Sequence, residues 1–298
     1  MNLENDLRSV LGDLADDELT FLAELQKKAT PSESIDLQYR VCRGEFVAEL
    51  INRLSLDDLV TKISLHNMEV SSSISVISLQ SEKSVSLIGL RSEHPIDFSQ
   101  SAFNQLDLSD CQIPSLKARG IHLQRDIVLK RARISQTLDL SLARIGGSAD
   151  LRQADLTAPE EANSETLHLS GDTSQSESGQ TRRESYSRFH MGSFVDSQID
   201  GSIRCCDARL DRKIRLTNTR IAGDLDLWGS EFVDLEEHEN GLICTNCKIG
   251  EKFVFSETSC GKNTRLALDY SRMRILQFGR DQDKWPLKNR ISLEGTTF

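Results

Sequence analysis

The sequence predicts a mainly β chain, a four-sided parallel β-helix entered through an N-terminal helical cap. Three observations carry this. From 63 to 156 a unit of ten or eleven residues recurs, with apolar pairs flanking one residue at Ile63/Leu65, Ile74/Val76, Val85/Leu87, Ile96/Phe98, Leu106/Leu108, Leu116/Ala118, Ile127/Leu129, Leu138/Leu140 and Ala149/Leu151. Five residues after the first apolar residue comes a mostly small slot, held by Cys111, Ala132, Ala143, Ala154, Ala208, Thr219, Ser230, Cys247 and Thr258. Two further on an apolar residue returns, as at Ile113, Leu123, Ile134, Ile145, Leu156, Leu210, Ile221 and Ile249. The third observation is helical spacing confined to the first sixty residues. Alternation over three residues sends the outer two side chains to one face of a strand. Each unit thus has two short inward edges, and two units close one coil, stacked on the next at about 4.8 Å. A helical reading fails because polar three-residue gaps and β-branched residues break any continuous stripe.

Taken in order, residues 1–62 form the cap. Leu3, Leu7, Val10, Leu11 and Leu14 keep helical spacing, and Asp16-Asp17-Glu18 supply an acidic first turn ahead of Leu19, Leu22 and Leu25. Residues 29–34 hold a proline and read as a linker, after which Phe46, Val47, Leu50, Ile51 and Leu54 make a third stripe. An exposed first coil would be an unpaired sheet edge, so a cap is expected there. Residues 63–156 form a first array. Residues 157–192 are polar, with few apolar residues beyond Leu167 and Leu169, and form an insertion unable to offset its ordering entropy by burial. Residues 193–298 form a second array with a shorter polar interruption at 233–241. Glycine and small polar residues at the corners, as at Gly146-Gly147, Gly201, Gly223 and Gly250, suit backbone that turns sharply.

Charge placement narrows the function. The chain carries a net charge of -10. Residues 1–62 hold thirteen acids against seven bases, whereas 101–156 hold six acids against eight bases, so the rod itself is not acidic. Its outward strand positions, Asp107, Val128, Asp139, Asp150, Arg204, Arg215 and Asp226, read as a mixed, solvated column. An acidic nucleic-acid mimic inhibiting a DNA-binding enzyme is thereby the lesser reading, and direct nucleic-acid binding is not expected. No apolar run approaches the length of a membrane span, and the first residues lack the basic and apolar regions of a signal peptide. A cytoplasmic protein is expected.

Candidate chemistry is sparse. Cys244-Thr-Asn-Cys247 has zinc-knuckle spacing and Cys205 could join it, but Cys205 and Cys244 occupy the second apolar position and Cys247 the small slot. There cysteine packs as a compact hydrophobe. No metal and no cofactor is expected, and the seven cysteines read as reduced thiols. The six histidines share no spacing, and no G-x-S-x-G or H-E-x-x-H motif occurs. No catalytic residue is assigned. A polysaccharide-cleaving β-helix would call for a larger three-sided coil and an aromatic-lined cleft, against two tryptophans and three tyrosines here.

The stretches at 132–141, 143–156 and 219–229 resemble bacterial pentapeptide-repeat-like proteins. More narrowly, residues 40–51 and 291–298 resemble the Arg-rich helical start and the Leu-x-Gly-aromatic ending of proteins catalogued as membrane-associated oxidoreductases. The resemblance implies a right-handed, four-sided coil. The oxidoreductase label finds no support, since no G-x-G-x-x-G turn is present. The expected function is a non-catalytic protein-interaction scaffold. Its partner is another protein, met by the coil faces and by Arg182, Arg183, Tyr186 and Phe189 of the insertion. An enzyme with an untypical cleft beside the insertion is the other alternative. Self-association through the last coil edge is a further expectation.

Overall fold

Every apolar pair from Ile63/Leu65 to Leu266/Leu268 is buried, and the residue between its members is exposed or partly covered in most coils, while Ser64, Ser86, Asp150 and Ala267 are buried. The computed structural model describes residues 3–27, 35–36, 40–157, 192–210, 213–233, 240–261, 264–279 and 291–298. Among these, short strands pair in parallel from coil to coil and build a β-solenoid of about eight turns.

One coil contributes to four parallel ladders, numbered here in chain order. The first runs through Ile63, Val85, Leu106, Ile127, Ala149, Ile203, Leu225 and Phe253. The second passes Val70 and later Leu156, Leu210, Phe232 and Cys260. In the third lie Ile74, Ile96, Leu116, Leu138, Gly192, Ile214, Leu242, Leu266 and Ile291. The fourth takes Phe103, Leu123, Ile145, Ile199, Ile221, Ile249 and Met273. Their inward side chains fuse into one continuous apolar cluster from Leu3 to Met273. Each fully buried aliphatic side chain contributes about 1.5–3 kcal/mol, so the column holds the rod together along its whole length.

The small slot does more than fit. At Ser197, Thr219, Ser230, Cys247, Thr258 and Ser271 it holds a hydroxyl or thiol that donates to a carbonyl of the preceding coil. Ser197 Oγ reaches Leu140 O at 2.7 Å, Thr258 Oγ1 reaches Leu227 O at 2.7 Å and Ser271 Oγ reaches Cys244 O at 2.9 Å. Thr219, Ser230 and Cys247 do the same to Phe194 O, Cys205 O and Leu216 O. Outward aspartates are likewise structural. Asp97, Asp107, Asp139 and Asp226 each accept the backbone N–H two residues on, at 2.8–3.0 Å, closing the turn after the strand. The mixed outer column is therefore a set of turn caps as well as a solvated surface. Asp150 within it is nearly buried and ion-paired to Arg152 at 2.5 Å.

At the corners the named glycines take a different role from the one expected. Left-handed backbone recurs at two corners of the coil, but mostly on non-glycine residues, such as Asn67, Asp110, Asp207, Leu142, Asn218 and Asn246. The expected corner glycines serve close approach instead. A Cβ at Gly250 would stand 2.1 Å from Ala222 O, and one at Gly201 would stand 2.7 Å from Gly147 O.

Three helices cover the first coil: α1 (Leu3–Leu11), α2 (Asp16–Lys27) and α3 (Gly44–Leu56). Phe21 of α2 meets Phe46 of α3 edge to face at 5.8 Å, and Leu7, Leu50 and Ile51 complete the seal. Val10 of the α1 stripe is exposed. Glu18, read as part of an acidic helix first turn, is fully buried. It accepts from Arg43 Nη2 at 2.8 Å and from the N–H groups of Ala15 and Arg43. The 29–34 linker lies outside the described residues. At the far end, Ile291 is half-buried and Leu293 exposed, because the last apolar pair has less of the rod to cover it.

Candidate functional site

An interior filled by its own side chains leaves the outer surface of the coils as the place for recognition. The interior cavity among the described residues holds about 10 Å³ and is lined by apolar side chains including Leu138, Phe194 and Ile203. It sits where Gly192 occupies a third-ladder position that other coils fill with isoleucine or leucine. Outside, a cleft of about 420 Å³ lies between Gln80, Glu82, Phe103, His122 and Gln124, where the first coil contributes only an isolated bridge to the fourth ladder. No hydrogen bond joins Glu82 to His122 among the described residues.

The outward positions of two ladders carry opposite charge logic. On the second ladder Arg133, Asp155, Arg209 and Glu231 follow one another in register, and acids alternate with bases. Arg133 Nε lies 3.4 Å from Asp155 Oδ2 and Arg209 Nε lies 3.2 Å from Glu231 Oε2, so this row neutralises itself. On the fourth ladder the outward row reads His122, Arg144, Gln198, Arg220, Lys248 and Arg272. All six are exposed, and no acid stands among them. Two residues on from the row stand Gln124, Gly146, Asp200, Ala222, Gly250 and Arg274, so the middle of this strip is low apart from Asp200, which accepts from Gln198 at 2.9 Å, while Gln124 and Arg274, the latter paired with Glu251 at 3.2 Å, carry long side chains at its ends. The sequence reading missed this row because its members stand on the other inward-edge strand of the unit, five positions after the outward residues it followed, as Arg144 after Asp139 and Arg220 after Arg215.

The cysteine candidates fall into the packing scheme. Cys205 and Cys244 face the interior and Cys247 occupies the small slot, its thiol on Leu216 O. Burial pushes the Cys205 and Cys244 thiols well up, which keeps them protonated and poor ligands. Half-buried Cys206 is pushed up to about 12 by burial and by Asp226, whose carboxylate accepts from it at 3.3 Å. Among the described residues no three histidine, cysteine or acidic side chains gather as a metal site. His94 and His122 are exposed, and His66 Nε2 lies 2.9 Å from Ser64 Oγ.

Arg182, Arg183, Tyr186 and Phe189 lie outside the described residues. Their host segment can still be placed by its flanks. A corner chain of side chains, Asp126, Ser148, Ser202, Asp224 and the Lys252 N–H, links successive coils through hydrogen bonds of 2.7–3.1 Å, with sequence steps of 22, 54, 22 and 28. The long steps contain 157–191 and 234–239. Both stretches leave the second ladder and re-enter on the third, so the chain adds length at one corner without disturbing the register. The fold is re-entered at Gly192, the last residue of the span expected as insertion.

No helix among the described residues is long and apolar enough to cross a membrane. Comparison of this chain with family models, with curated proteins and with solved structures finds no match.

Proposed function

We propose that the protein is a non-catalytic interaction scaffold, a solenoid that presents its coil surface and the 157–191 segment to another protein in the cytoplasm. The observation carrying this reading is the placement of added length. Two long steps occur at the same corner, between the second and third ladders, while the pairing Ala149 with Ile203 keeps the coil intact across the larger one. Added segments in repeat arrays map to one face, commonly the binding face, and a long segment in a compact domain is commonly functional. Arg182, Arg183, Tyr186 and Phe189 are the proposed contacts within it. Four ladders per turn support a four-sided cross-section, and the repeat spacing supports kinship with the right-handed pentapeptide-repeat-like coils.

Deletion tests it. Replacing residues 160–188 by a short Gly-Ser bridge is expected to leave circular dichroism and melting nearly unchanged while abolishing capture of the partner set that the full chain retains from lysate. Retention of the same set by the deleted chain would move the binding surface off this corner.

A further inference from the structure

We infer that the outward row of the fourth ladder is a docking strip for an acidic, extended polypeptide segment of a partner protein, distinct from the 157–191 corner. Stacking like charges at directly opposed strand positions is unfavourable. The second ladder avoids this by alternating Arg133, Asp155, Arg209 and Glu231. On the fourth ladder Arg220, Lys248 and Arg272 follow one another, with Arg144 two coils below Arg220, and none of the four makes an ion pair among the described residues. The same rod thus contains both solutions, and the uncompensated one has no structural return within the fold.

The geometry favours one occupant. From His122 to Arg272 the row covers five coil steps, about 24 Å at about 4.8 Å each. An extended chain of about seven residues spans that length and places alternate carboxylates along one side. Guanidinium groups meet carboxylates in bidentate fashion, and the small residues Gly146, Ala222, Gly223 and Gly250 leave room for a partner backbone beside the middle of the row, between Gln124 and Arg274. A nucleic acid fits less well. Single strands are held by aromatic stacking platforms, and the row has none among its six members. A duplex presents a long, wide field of phosphates to a chain of net charge -10, whereas a short acidic segment feels only the local row within a Debye length of about 8 Å.

The test uses the full chain and a fluorescein-labelled peptide of about eight glutamates, long enough to span the row. Fluorescence anisotropy is expected to show binding at about 50 mM salt that weakens steeply towards about 500 mM. R144Q/R220Q is expected to weaken binding about tenfold. R133Q/R209Q removes the same charge from the self-neutralised ladder and is expected to stay within about twofold, and R144K/R220K is expected to retain most of the binding. Circular dichroism checks that each variant keeps its strands. Absence of peptide binding at low salt, equal loss in the two Gln variants, or tighter binding of a duplex or of oligothymidylate would each overturn the assignment. The chain lacking residues 160–188 is expected to bind the peptide as the full chain does. Loss of the peptide there would place the site on the insertion, whereas failed peptide binding with retained partner capture would sink this strip and leave the scaffold reading standing.

Discussion

Leu140 and Gly192 show how much one position in a stacked coil can carry. Leu140 is fully buried, and its carbonyl accepts from Ser197 Oγ of the next coil. Leu140→Asp would bury a carboxylate without a partner, and a loss of more than about 3 kcal/mol is expected, read as a fall in the denaturation midpoint. Unchanged melting would mean that the inward register is wrong. Gly192 is the opposite case. Its backbone is ordinary, and a Cβ there would meet Ile214 at 3.5 Å, normal contact, beside the interior cavity of about 10 Å³. Gly192→Ala is expected to stabilise by about 0.5–1 kcal/mol, through added apolar contact and a less flexible unfolded chain. A lower melting temperature would show that the coil needs the glycine.

Between elements, the cap is tied down by an acid. Burial alone would raise the Glu18 carboxyl, but the Arg43 guanidinium and the N–H groups of Ala15 and Arg43 outweigh it and hold the group below its usual range. A carboxyl held low in the folded state stabilises at neutral pH, and that contribution disappears as pH falls through the ordinary carboxylate range towards the lowered value. Arg43 keeps access to water, so its release on mutation is less costly than that of a buried cation. Glu18→Gln is expected to cost about 1–3 kcal/mol at pH 7 and to flatten the acid limb of the stability curve. The check is urea denaturation from pH 7 down to pH 3 on both proteins. Parallel curves would show that Glu18 does not link α2 to α3.

Across the whole molecule, stability is a sum of coil-to-coil interfaces, so a length change tolerated at one corner leaves the rest of the column intact. Ser141 Oγ and Ser193 Oγ lie 2.7 Å apart across 52 residues of sequence, and Leu138 pairs with Gly192. The near-constant melting expected on deleting residues 160–188 follows from those contacts. By the same logic, the charge patterns of the second and fourth ladders belong to the assembled rod rather than to any one coil.

Period, inward residues and cap were legible in the sequence by itself, because alternation and small-residue spacing are local and every coil repeats them. The slot residues, the paired apolar positions and the three helices stand where their spacing placed them, apart from the uncovered Leu293 and the exposed Val10. What only the tertiary structure decided depends on neighbours 22 to 54 residues apart in sequence. Gly192 is invisible as a rung until Leu138 and Ile214 flank it, Glu18 reads as a helix-dipole acid until Arg43 arrives, and corner glycines read as turns until Ala222 O closes on Gly250. The cationic row of the fourth ladder emerges the same way. Arg144, Arg220, Lys248 and Arg272 are scattered single charges along the chain, and stacking in register turns them into one surface.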